Sequence, residues 1–103
     1  MIYQIVITEQ AEADLRRIFS YIAVELMSPQ AASDQLERLE QSIMKLDQLP
    51  ERFRLYAREP WHSRGLRVMP VDNYLVFYLT DPDPAIVTVI RVMYGSRNFD
   101  AHL

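Results

Sequence analysis

Residues 61–97 constrain the fold of this chain more than any other segment, because they predict three consecutive strands at 63–71, 74–80 and 86–94. A tight turn at Asp72 and Asn73 joins the first two, and residues 81–84 join the last two. The two prolines in that second turn exclude it from a strand ladder. Residues 74–80 are apolar on both faces, which is typical of a central strand whose second face is at least partly covered.

The first half of the chain predicts one strand and two helices. Residues 1–7 are β-branched and alternate, and residues 9–26 repeat apolar side chains at helical spacing, with Thr8 as N-cap. Ser28 is the predicted cap of a second helix that starts at Pro29 and ends at Pro50. A short link between two helices predicts an antiparallel hairpin.

This order predicts one α+β domain over residues 1–103. An N-terminal strand precedes an antiparallel two-helix hairpin, which packs on one face of a mostly antiparallel four-stranded sheet. We expect the other face of the sheet to be open, at least in part. Exposed apolar surface of that kind usually marks an interface.

Charge is unevenly distributed along the chain. The net charge is −3, yet residues 52–67 carry five arginines and one acid. Such a basic stretch can focus an electrostatic field on one face and bind RNA or another target. The candidate binding residues are Arg52, Arg54, Arg58 and Arg64. Ordinary solvated surface is the alternative interpretation of each of them.

Arg91 lies in the middle of an apolar strand, where a guanidinium is costly unless it is paired or solvated. If the helices cover Ile86, Ile90 and Val92, Arg91 points to the open face and could contact a phosphate. The alternative is an ion pair with Asp72, Asp100 or a helix carboxylate. Tyr94, His62 and His102 are the candidates for proton transfer.

Several classes of site are excluded or disfavoured. The chain has no cysteine and only two distant histidines, so we expect no metal site and no cofactor. No apolar run is long enough for a membrane span, and we expect a cytoplasmic protein with no membrane partner.

Three motifs resemble the RelE/ParE superfamily, the toxins of bacterial type II toxin–antitoxin systems. They are A-x-x-D-L at residues 11–15, R-G-L-R-V-M-P-V-D-N-Y-L-V-F-Y at 64–78 and V-I-R-V-M-Y-G-S-R-N at 89–98. The resemblance implies a toxin neutralised by a cognate antitoxin protein. On this resemblance, the expected catalytic residues are Arg67, Arg91, Tyr94 and Arg97.

The resemblance leaves three mechanisms open. RelE-like members cleave mRNA on the ribosome without a metal, so this chain could be a ribosome-dependent endoribonuclease. ParE-like members act on DNA gyrase without that catalytic set. An inactive toxin-fold module that binds only its antitoxin is the third alternative. The acidic net charge tilts the expectation slightly away from free RNA binding.

Overall fold

The computed structural model describes residues 1–95 and 99–103, with the side chain of Asp100 outside that description. The order of elements confirms the predicted fold class. They are strand β1 (Gln4–Ile7), helix α1 (Glu9–Ser20), helix α2 (Pro29–Met44), and strands β2 (Arg67–Val71), β3 (Tyr74–Pro82) and β4 (Ala85–Tyr94). Among the described residues, no helix is long and apolar enough to cross a membrane.

The four strands form one sheet in the order β1-β4-β3-β2. The pairs β2–β3 and β3–β4 are antiparallel hairpins, whereas β1 runs parallel to β4. A parallel pair requires a long crossover, which the helical hairpin and the following strands provide. β1 covers β4 only as far as the pair Ile7↔Val89, so the C-terminal half of β4 extends beyond its neighbour.

The helix boundaries differ from the prediction at three points. α1 starts as expected, with the Thr8 side chain accepting a hydrogen bond from the Ala11 backbone at 3.2 Å, but it widens into a π-helical turn at Tyr21–Glu25. Ser28 makes no side-chain cap, and only its carbonyl accepts from Ala32. α2 ends at Met44 and tightens into a 3₁₀ turn at Lys45–Asp47. Pro50 therefore begins a separate turn rather than ending the helix.

Two strand boundaries also need correction. Residues 58–65 form a series of turns, so β2 begins at Arg67 and not at residue 63. Gly65 closes these turns with a φ of +81°, a conformation that L side chains rarely adopt. β3 continues to Pro82, opposite Ala85. A proline fits there because it is the last residue of the strand and its missing N–H interrupts no further pairing.

The sheet is covered on both faces, so the prediction that its second face is open was wrong. Both helices pack on one face, against a core that includes Leu39, Ile43 and Val76. The second face carries Leu66, Val68, Phe77 and Met93, which are buried under the connection before β2 and under the C-terminus. Side chains that cover this second face include Tyr56, Trp61, Phe99 and Leu103.

Candidate functional site

The unpaired edge of β4 is closed by a helix side chain rather than by another strand. Past Val89, the Thr8 hydroxyl donates to the Ile90 carbonyl at 3.2 Å. Further along, the Asp14 carboxylate of α1 accepts the Val92 backbone N–H at 2.9 Å. A buried backbone N–H must find an acceptor. Asp14 therefore supplies at this edge the hydrogen bond that β1 is too short to provide.

Arg91 is bound to the same carboxylate. Its Nε lies 2.8 Å from Asp14 Oδ2 and its Nη2 lies 3.0 Å from Oδ1, while its Nη1 donates to the His102 carbonyl at 2.5 Å. The Arg91 side chain is 11% exposed and that of Asp14 is 3% exposed. The hydrogen bonds that Arg91 donates to the Asp14 carboxylate raise the pKa of Arg91 above its ordinary value. This guanidinium is therefore committed to a nearly buried ion pair.

A β-bulge places Arg91 opposite Phe77, on the face of the sheet away from the helices as expected, but that face is covered. Phe77 pairs with Arg91 and Tyr78 pairs with Val89, so Ile90 is an extra residue on β4. Such a bulge shifts the alternation of side chains along the strand. The expectation that Arg91 faces open solvent was wrong, and the alternative of a pair with a helix carboxylate is correct.

The sequence reasoning did not single out Asp14. Asp14 is the acid of the A-x-x-D-L motif and Arg91 is the arginine of V-I-R-V, so two motifs of the resemblance meet in one ion pair. The available signal was positional. Asp14 stands three residues after Ala11 and one before Leu15, on the apolar side of α1. A lone carboxylate in an apolar stripe requires a buried partner.

Tyr94 lines a cavity of about 490 Å³ between α1 and the end of β4. Tyr94 is 48% exposed, and its ring meets the ring of the buried Tyr74 edge-on, with 5.6 Å between ring centroids. Burial is the main cause that raises the pKa of Tyr74. Arg17 also lines this cavity and donates to Asp14 at 2.5 Å. The cavity thus combines accessible aromatic hydroxyls with charges that are already paired.

Arg67 holds the connection that follows α2. Its Nη1 donates to the carbonyls of Glu51 at 3.1 Å and Phe53 at 2.8 Å. The carboxylate of Glu51 lies 3.7 Å from its Nη2. Beside it, the buried Tyr78 hydroxyl donates to the Pro50 carbonyl, and burial raises the pKa of Tyr78 to about 12. These groups anchor the connection to the sheet.

The fold separates the candidate catalytic residues from one another. Arg67 pairs with Tyr78 and Tyr94 pairs with Tyr74, positions that are about 13 Å apart along β3 at roughly 3.3 Å per residue. Arg91 turns toward α1, while Arg67 turns toward residues 51–53. Arg97 lies outside the described residues.

The four candidate binding arginines fall into two groups. Arg52 closes the end of the second helical segment, where Nη1 donates to the Gln48 carbonyl at 2.6 Å and the Leu49 carbonyl at 3.0 Å. Arg54, Arg58 and Arg64 are exposed on the connection before β2. The Arg64 guanidinium lies 5.2 Å from the ring centroid of Trp61. His62 is exposed beside them.

No three histidine, aspartate or glutamate side chains cluster as metal ligands within the part of the chain that the structure describes. The chemistry of the described site therefore reduces to paired arginines and accessible tyrosines at the β4 edge, and an exposed basic loop on the second face.

Comparison with known proteins places the chain in a family. Residues 5–99 match the model of the ParE toxin of type II toxin–antitoxin systems, parDE. Among curated proteins, none matches the sequence.

Solved structures share the fold at low sequence identity. A chromosomal ParDE system from P. aeruginosa is 18% identical, with a TM-score of 0.73 over 90% of this chain and 96% of that one. The RelBE2 toxin–antitoxin complex from Mycobacterium tuberculosis is 20% identical, with a TM-score of 0.65 over 91% and 99%. An archaeal RelE–RelB complex from Pyrococcus horikoshii OT3 is 18% identical, with a TM-score of 0.63 over 94% and 99%.

Proposed function

This chain belongs to the family of ParE toxins of type II toxin–antitoxin systems, and on that premise we propose that it stops bacterial growth by binding and inhibiting DNA gyrase, without chemistry of its own. The observation that carries the proposal is the commitment of Arg67 and Arg91 to contacts inside the fold.

A metal-free nuclease needs positive charge around the phosphate in its transition state. Arg91 is neutralised by Asp14 and is nearly inaccessible, and Nη1 of Arg67 donates to two backbone carbonyls. Releasing Arg91 would leave the buried Asp14 carboxylate without its main partner, which costs several kcal/mol. Releasing Arg67 would break its hydrogen bonds to the Glu51 and Phe53 carbonyls. A binding mechanism requires no such release.

The competing mechanism is the ribosome-dependent mRNA endoribonuclease, with Arg67, Arg91, Tyr94 and Arg97 as its catalytic residues. One observation favours it. Tyr94 is accessible at a cavity of about 490 Å³ that is large enough to admit a nucleotide group. The test of the proposal must therefore separate binding from strand cleavage.

Expression from an inducible promoter, in a bacterium without the antitoxin, separates the two mechanisms in one culture. We expect an induced DNA-damage reporter with intact transcripts, and inhibition of gyrase supercoiling by the purified protein. New mRNA 5′ ends at codon positions, without inhibition of gyrase, would overturn the proposal.

A pair of tyrosine variants makes the test sharper. Tyr94→Phe removes the hydroxyl that a nuclease would use, and Tyr21→Phe removes an exposed hydroxyl from the same cavity as a matched control. Binding to gyrase predicts that both variants keep most of their toxicity. Loss of toxicity in Tyr94→Phe alone, at unchanged stability, would support catalysis.

We also propose that a cognate antitoxin neutralises this toxin by docking on the helical hairpin. A groove of about 570 Å³ runs between the helices over Leu15, Phe19 and Leu36. The nearby hairpin tip exposes the apolar side chains of Val24, Leu26 and Met27. An apolar surface of this kind fits an amphipathic helix.

Phe19→Asp should abolish copurification with the antitoxin encoded beside the toxin, whereas Met44→Asp, at an exposed position outside the groove, should not.

A further inference from the structure

We propose that the exposed basic loop before β2 is a binding surface for the backbone of double-stranded DNA. We call this surface the arginine loop and define it by Arg54, Arg58, Trp61, His62 and Arg64. The inference rests on the proposed function only in choosing DNA, the substrate of gyrase, as the nucleic acid.

The arginine loop is held in a defined conformation. At its base, Tyr56 N donates to the Leu66 carbonyl at 2.7 Å and Val68 N donates to the Arg54 carbonyl at 3.0 Å, which fixes the loop to the edge of β2. At its tip, His62 N donates to the Arg58 carbonyl at 2.9 Å. A surface held in this way loses little conformational entropy when it binds.

The acid within the loop is internally satisfied. Glu59 accepts hydrogen bonds from both the backbone and the hydroxyl of Ser63, and these bonds lower the pKa of its carboxyl. The guanidinium of Arg64 lies over the Trp61 ring instead. The loop thus presents the side chains of Arg54 and Arg64 to solvent.

The sheet separates the arginine loop from most of the acidic residues of the chain. The helices carry exposed acids such as Glu12, Glu37 and Glu40 and pack on one face, while the loop packs on the other. Each packed layer adds about 10 Å, so the two charged surfaces lie roughly 20 Å apart. Salt screens exposed charges over about 8 Å at physiological ionic strength. The negative net charge therefore does not cancel the local field of the loop.

The side chains of the arginine loop favour binding to phosphate groups over binding to an acidic peptide. All positive charges in the loop are arginines, whose planar forks bind phosphate oxygens and stack on aromatic rings. Trp61 supplies such a ring inside the loop. Arg52 is excluded from this surface because its donors are spent on the Gln48 and Leu49 carbonyls.

The test is direct binding of the purified full-length chain to a fluorescent 20-base-pair duplex, measured by anisotropy at several salt concentrations. Trp61 is the only tryptophan of the chain, so its fluorescence reports on the loop in the same titration. If Arg54 and Arg64 contact phosphates, affinity should fall about 12-fold between 50 and 200 mM salt. The Trp61 signal should change over the same concentration range.

Two matched double variants test whether DNA binding depends on the position of the arginines or only on the total charge of the chain. Arg54→Gln/Arg64→Gln and Arg16→Gln/Lys45→Gln each remove two positive charges, the second pair from exposed positions on the helical side. With neither phosphate contact left, we expect the affinity of the first variant to change by less than about twofold over the same salt range and to be at least tenfold weaker at 50 mM salt. The second variant should bind as the unmodified chain does, within about twofold.

Several outcomes would overturn the inference. They are equal losses of affinity in the two double variants, anisotropy changes without a change in Trp61 fluorescence, no binding at 50 mM salt, and competition by polyglutamate that is as effective as competition by unlabelled DNA.

Because the assay contains no gyrase, its result is independent of the proposed function. DNA binding without gyrase inhibition would refute the function and leave this inference standing, and the reverse result would refute the inference alone.

Discussion

Asp14 is the residue on which the edge of the sheet depends. Its two oxygens accept from Arg91, from Arg17 and from the Val92 backbone, while the carboxylate is almost fully buried. A buried carboxylate is tolerated only when it is paired and hydrogen-bonded. The same contacts tie α1, β4 and the C-terminal segment together through the His102 carbonyl. We therefore interpret the pair as a structural element rather than a catalytic one.

Breaking this pair should destabilise the protein strongly. Asp14→Ala or Arg91→Ala leaves an uncompensated buried charge, and each should lower the free energy of unfolding by about 3–5 kcal/mol. Asp14→Leu/Arg91→Met removes both charges and should recover much of that loss. Urea unfolding of the four proteins compares their free energies of unfolding. An Arg91→Ala protein that is as stable as the unmodified chain but no longer toxic would contradict this interpretation and favour a catalytic Arg91.

The connection between α2 and β2 is the element that most needs polar anchoring, because it has little regular structure of its own. Arg52 closes the helical end, Tyr78 holds the Pro50 carbonyl and Arg67 holds the Phe53 carbonyl. Each of these side chains donates to a backbone carbonyl in or next to the connection. The connection can therefore cross the edge of the sheet and still present the arginine loop beyond it.

Removal of the Arg52 cap should weaken this element measurably. Arg52→Gln loses charged hydrogen bonds to the last carbonyls of the helical segment, and we expect it to cost about 1–2 kcal/mol. Arg54→Gln, two residues away and exposed, is the matched control and should stay within about 0.5 kcal/mol of the unmodified chain. Midpoints of urea unfolding compare the two. Equal stability of both variants would show that the cap contributes nothing.

At the scale of the whole molecule, the sheet has two hydrophobic layers of different origin. The helices cover one face, and the irregular connection together with the C-terminal segment covers the other. On the second face, the Phe99 ring lies 5.1 Å from the Phe77 ring, measured between centroids. The short segment from Phe99 to Leu103 therefore covers part of the hydrophobic cluster on the second face.

Truncation after residue 98 should expose that surface. We expect a loss of roughly 2 kcal/mol or more in stability, because the apolar contacts of Phe99 and Leu103 are removed from the second core. The truncated protein should also bind more of a hydrophobic dye such as ANS. Ala101→Ser, at an exposed position of the same segment, should change neither quantity. If truncation leaves both the unfolding midpoint and dye binding unchanged, the segment does not cover the second face in solution.

Local pattern was sufficient to predict the elements and their order. Alternating β-branched residues, helical apolar spacing and the Asp72-Asn73 turn are properties of neighbouring residues, and the structure places all six predicted strands and helices in that order. The quoted motifs led to the family in the same way, since residues 5–99 match its model. Short-range periodicity determines which segments form and which side is apolar.

The positions of the charged groups depended on tertiary structure. The Arg91 guanidinium meets Asp14, 77 positions earlier in the chain, at the edge of β4 that β1 leaves unpaired, and no local period encodes that pairing. Likewise, the covering of the second face depends on where irregular segments return to the sheet. The sequence by itself determined the elements, their order and the family. Only the folded chain decided which arginines are committed to internal contacts and which remain exposed, because strand register and long-range contacts place each side chain.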